Sequence, residues 1–167
     1  DTTVCVLKAV KPKKVKLFTG PPSHKEDDAK VVHELMNNAD IRIVSGGTTS
    51  QIVARELGVE VKSSTEIYDK EVPPIAYIQG VDLVTEGVLT LSKTIDRLKS
   101  LSKSLDSDIF KAKDGASQMA KLLYSASHIK LLVGRSLNIA NAESSFQRDL
   151  ELRLHVVGEL EKILVKL

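Results

Sequence analysis

One strand-to-helix junction constrains this chain more than any other stretch. Residues 41–58, IRIVSGGTTSQIVARELG, pass from a short apolar run through two glycines and three hydroxyl residues into an amphipathic segment closed by Gly58. The pattern predicts a buried strand over 41–44 and a helix over 51–57. A buried strand that runs straight into a helix is half of a βαβ unit, and its sheet partner is parallel. The alternation recurs along the chain. Residues 15–19 read as a strand closed by Gly20-Pro21-Pro22, which cannot continue a ladder. Residues 27–39 read as a helix with Val32, Leu35, Met36 and Ala39 on one face, and Glu26, Asp27 and Asp28 sit at its positive end. A strand over 59–62 and an extended segment over 75–78 follow. From Val81 the pattern turns helical, with Val84, Val88, Leu91, Ile95 and Leu98 in one stripe. A helix capped by Asp114 over 115–126, a strand over 128–133 and a helix from about residue 145 complete the series. The order predicts an α/β layered fold, a mostly parallel sheet flanked by helices in a Rossmann-like manner. The β-branched run at residues 2–8 predicts one extra N-terminal strand.

Length and charge bound the function class. At 167 residues the chain is about one domain. The single cysteine, Cys5, excludes a disulfide framework and a Cys-based zinc site. Net charge is +2, too small to argue for nucleic acid. No apolar run is long enough for a membrane span, and no signal peptide is visible at the start, so a cytoplasmic location is expected. Charge is uneven: residues 1–16 hold five lysines and one aspartate, net +4, leaving −2 for the rest. Lys8, Lys11, Lys13, Lys14 and Lys16 read as a solvated connector. The chain reads as a piece of a longer protein, divided into residues 1–13 and an independent unit over 14–167. The 100–113 stretch is the best internal linker. The final helix carries apolar residues on two faces, which suggests a homodimer through it, with Leu154 and Val156 as contacts.

The loop at residues 46–50 carries the clearest chemistry. Gly46 and Gly47 permit close backbone approach, while Thr48, Thr49 and Ser50 with the free N–H groups of a helix start can cradle a phosphate or carboxylate. No Lys follows the glycines, so this is not a P-loop. The same residues also suit a plain tight turn with Thr48 or Thr49 as an N-cap. A second cluster, Asp82, Thr85 and Glu86, is expected on one face of a helix start. There it suits a ribose hydroxyl or a cation, or equally a capping box. Arg135 and Asn138 follow the strand ending at Gly134 and form a third candidate loop. His24, His33, His128 and His155 lack metal-ligand spacing. A small enzyme using Asp82 or Glu86 as acid/base is a rival reading, and against it no nucleophile–base–orienter set can be assembled.

Several segments together resemble a known group. The opening DTTVCVLK resembles the last strand of PPM-type serine/threonine phosphatase domains related to stage II sporulation protein E. The segments FTGPP, SGGTTSQIVARELG, PPIAYIQGVDLVTEGVLTLSK and HIKLLVGRSLNIANA resemble a C-terminal accessory domain of some bacterial phosphatases of that type. The resemblance implies that residues 1–13 close an upstream phosphatase domain, whose metals would be Mn or Mg, and that the unit over 14–167 needs no cofactor of its own. It implies a non-catalytic, ligand-sensing regulatory domain with that phosphatase domain and a small anionic ligand as partners. Where the family carries Asn-Pro and then Ala-His, this chain has Asn138-Ile139-Ala140-Asn141.

Overall fold

The computed structural model describes residues 1–7, 9–103, 107–136 and 143–167, leaving out the side chains of 107 and 143–147. Its centre is a six-stranded, mostly parallel sheet with helices on both faces. The strands are β1 (Lys14–Thr19), β2 (Ile41–Ser45), β3 (Lys62–Ser63), β4 (Ala76–Tyr77), β5 (Leu83–Thr85) and β6 (His128–Val133), in the order β3-β4-β5-β2-β1-β6. The four strands β5, β2, β1 and β6 are parallel, while β3 and β4 add an antiparallel edge.

Side-chain alternation along each strand separates two cores. Val15 and Leu17 of β1, Ile43 of β2 and Leu83 of β5 face α3 (Val88–Lys103), α5 (Gly115–Tyr124) and α6 (Glu143–Leu164). Phe18, Val44 and Val84, one residue further on, face α1 (Asp28–Met36) and α2 (Gly47–Leu57). The chain climbs from β1 to β2 to β5 on one side, then returns to place β6 on the other side of β1. The strand order therefore reverses between β1 and β6, and the ligand crevice of an open α/β sheet lies at such a point, beyond the carboxyl ends of the strands.

Several elements differ from the sequence expectation. The helix expected from Val81 begins only at Val88, because residues 83–85 are a strand, with Leu83, Val84 and Thr85 paired to Ile43, Val44 and Ser45. A strand buried on both faces shows no period of two, so Val84 fell into register with the helical stripe that follows it. Helix α2 starts at Gly47 rather than Gln51, so the glycine–hydroxyl loop is mostly its first turn. The strand over 59–62 shrinks to Lys62–Ser63. The expected linker over 100–113 is largely helical, as the end of α3 and α4 (Ser107–Lys111).

No strand forms over residues 1–7, and Val6 is 84% exposed there. A β-branched run makes a strand only where another strand supplies hydrogen-bond partners, and none of the six lies beside it. The connector reading also fails for Lys16. It is 7% exposed in β1, and its Nζ donates to the carbonyls of Glu34 and Asn37 at 2.6 and 2.8 Å. There it closes the C-terminal end of α1, where a cation meets the helix dipole favourably.

Candidate functional site

At the carboxyl ends of β1, β2 and β5 the structure opens into a cleft of about 400 Å³. The chain leaving β1 supplies Thr19, Gly20 and Pro21. The junction after β2 supplies Ser45, Gly46, Gly47, Thr48 and Thr49, and the turn after β5 supplies Glu86, Gly87 and Val88. Ser136 enters from beyond β6, and Asp149, Leu150, Leu152 and Arg153 of α6 form the far wall.

Gly46 holds the N-cap position of α2 with φ of 115°, a conformation that an L side chain adopts only under strain. Opposite it, a Cβ placed on Gly87 would lie 3.6 Å from the Cα of Gly46. Two glycines in contact thus bring the starts of α2 and α3 to the same cleft. In α2 the first residue to donate back along the helix is Ser50, whose N–H reaches Gly46 O at 2.9 Å. The N–H groups of Gly47, Thr48 and Thr49 lie in the first turn, where helix geometry offers no partner. At α3 the Glu86 carboxylate stands 3.5 Å from Thr90 N and offsets that helix end. The start of α2 is the more available anion position.

Most of the hydroxyls credited with ligand binding hold the loops instead. Thr49 Oγ1, buried, accepts from Gly20 N at 2.9 Å and so ties α2 to the end of β1. Ser50 Oγ donates to Gly46 O at 2.8 Å. Ser45 Oγ donates to Glu86 O at 2.8 Å, and Thr85 Oγ1 lies 2.9 Å from the same carbonyl. Thr85 and Ser50 are buried and do not line the cleft, whereas Gly47 and Thr48 are exposed to it.

Of the ten residues expected in one site, the structure brings together Gly46, Gly47, Thr48, Thr49 and Glu86. Asp82 is separated from them. It sits at the amino end of β5, about 13 Å along a strand from Glu86, where its carboxylate accepts from Arg42 N at 2.7 Å. The two were expected on one helix face, and the strand between them puts them at its opposite ends. Arg135 turns to a separate groove beside Pro22, His24 and Asp27. Asn138 lies outside the described residues, as do Ile139, Ala140 and Asn141.

Two charged residues of the cleft, Asp149 and Arg153, were not among the expected ten. They face it one helical turn apart on α6. Arg153 is the one cation lining it among the described residues. Burial pushes its pKa down, against the pull of Asp149. A signal for it exists in the sequence: Arg153 interrupts the apolar series Leu150, Leu154 and Val157 on what would otherwise be a packing face. On the same helix Val156, Val157 and Leu160 are buried in the protein's own core, while Leu152 is 51% exposed. Val156, expected at a dimer surface, is therefore an internal residue.

Among the described residues no group of three or more His, Cys, Asp or Glu side chains is placed to hold a metal ion. No helix among them is long and apolar enough to cross a membrane. Comparison of the chain with models of protein families, with curated proteins and with solved structures returned no match.

Proposed function

We propose that this domain binds a small anionic molecule, phosphorylated or carboxylated, in the cleft over β1, β2 and β5, and that it does so as a cytoplasmic, non-catalytic sensor. The observation that carries the reading is the meeting of two features in one open cleft: the first-turn N–H groups of α2, which helix geometry leaves without a partner in the helix, and Arg153 of α6. Glu86, on the opposite side, is an acceptor suited to a hydroxyl of the same ligand. The resemblance of the sequence segments to a domain appended to PPM-type phosphatases supports a regulatory role for that binding.

Such a signal has a route from the cleft to the start of β1 along α6. The chain enters β1 at Lys14, and six residues of strand, about 20 Å, separate that end from the cleft. Helix α6 spans the same distance. Its early turns line the cleft, and its last turn lies beside Ala126 and Ser127. Ser127 N donates to Lys13 O at 2.9 Å, so α6 reaches the point where the chain enters the sheet.

Isothermal titration of wild type and Gly47→Val against nucleotides and sugar phosphates tests the reading. A Cβ at Gly47 meets nothing within 4 Å and Gly47 lines the cleft, so the valine adds bulk at the proposed anion position. Binding by wild type that the valine abolishes is the expected result. Binding unchanged in the variant removes the α2 start from the site.

A further inference from the structure

We propose that Arg153 selects a phosphoryl group in this cleft, leaving a seat against Gly20 to clamp two of the ligand's oxygens with its guanidinium fork. The inference rests on the anion-binding reading of the cleft and names its ligand class. Arg153 Nε is buried and has no hydrogen-bond partner among the described residues. Among the described residues Nη2 reaches Ser136 O, at 3.4 Å, the far end of hydrogen-bonding range. A buried donor left unmet is costly. An oxyanion that reaches it removes that cost.

The seat is specific. A Cβ on Gly20 would lie 2.8 Å from both Cζ and Nε of Arg153, and Gly20 has φ of 80°, so glycine alone leaves room for the guanidinium there. Gly20 N is the group that donates to Thr49 Oγ1 in the first turn of α2. Arg153 and the open N–H groups of α2 therefore flank the same residue. Together they offer two fork donors and the first-turn N–H groups of α2. A carboxylate has two oxygens, and side-on pairing with a guanidinium uses both. A phosphoryl group has three terminal oxygens, two for the fork and one for the helix. Asp149, one turn before Arg153, lines the same wall and favours the charged guanidinium.

The test is titration with inorganic phosphate and with acetate, together with urea unfolding, on wild type, Arg153→Met and Arg153→Lys. Wild type is expected to bind phosphate more tightly than acetate. Loss of a charge-assisted pair lowers phosphate affinity by about ten- to a hundredfold in Arg153→Met. Its urea midpoint stays level or rises, because an unpartnered buried donor is gone. Arg153→Lys restores the charge without the fork and recovers only part of the affinity. Equal phosphate affinity in wild type and Arg153→Met overturns the assignment while the cleft reading stands. A methionine variant with lowered midpoint and lowered affinity together overturns it too, Arg153 then being a packing residue. Binding of acetate but not of phosphate by wild type overturns the assignment alone, and binding of neither anion overturns both readings.

Discussion

Of the glycines, Gly134 sits in the tightest junction, and its replacement by alanine is the sharpest test of how the cleft is built. A Cβ there would overlap the carbonyl oxygens of Pro21 and Gly20 and the carbonyl carbon of Pro21, all inside the 3.0 Å that real Cβ atoms respect. All three are backbone atoms, so no side chain can rotate away. The overlap is about 1.5 Å against an ordinary contact of about 3.5–4.0 Å, and it must be absorbed by separating the chains that leave β1 and β6. Two hydrogen bonds span that junction, Gly134 N to Thr19 O at 2.9 Å and Ser136 N to Pro21 O at 3.0 Å. Overpacking costs about 1–3 kcal/mol and each weakened bond about 1 kcal/mol, so Gly134→Ala is expected to destabilise by roughly 3–5 kcal/mol. Against a total of about 5–15 kcal/mol that is a large fraction. Urea unfolding followed by circular dichroism reads it directly as a shift in midpoint. Gly158→Ala is the matched control, since a Cβ at that position in α6 meets nothing within 4 Å. It should stabilise by up to about 1 kcal/mol through helix propensity alone. If both variants unfold within about 0.5 kcal/mol of wild type, the β1–β6 junction is not packed as described.

Two further outcomes follow from individual contacts. Asp114 caps α5, its buried carboxylate accepting from Ser117 N at 2.9 Å, so Asp114→Ala should cost about 1 kcal/mol in the same unfolding assay; an unchanged midpoint would count against the cap. Hydrogen bonds from Lys130 and then Lys16 hold the Glu34 carboxyl down from 4.5 to about 2. A depressed carboxyl stabilises the fold above its unfolded value and loses that effect as pH falls through the folded one. The stability difference between wild type and Glu34→Gln should therefore be constant above pH 4.5 and shrink toward pH 2; a difference that stays level across that window refutes the pairing.

The α/β class was legible in the sequence because it depends on local pattern. Apolar runs bounded by Gly and Pro alternate with amphipathic stretches, and the strand at 128–133 and the cap at Asp114 appear where the pattern puts them. The importance of the Gly46-Gly47 junction was legible for the same reason, since a strand, two glycines and a helix in succession admit few geometries. What the pattern could not decide was anything that depends on a neighbour distant in the chain. Residues 83–85 are a strand because β2 supplies hydrogen-bond partners some forty positions away, and nothing local separates that run from a helix turn. Residues 2–7 have the composition of a strand and form none, because a ladder needs a second edge. The hydroxyls of Thr49, Ser50 and Thr85 look like ligand donors in one dimension, and in three they are tied to Gly20 N, Gly46 O and Glu86 O. Arg153, more than a hundred residues from Gly46 and on a helix read only for its apolar faces, reaches the cleft because α6 packs across the open ends of the strands. Local sequence determines which elements form where short-range energies dominate. Which side chains share a cleft is set by long-range packing, and only the tertiary structure decided that.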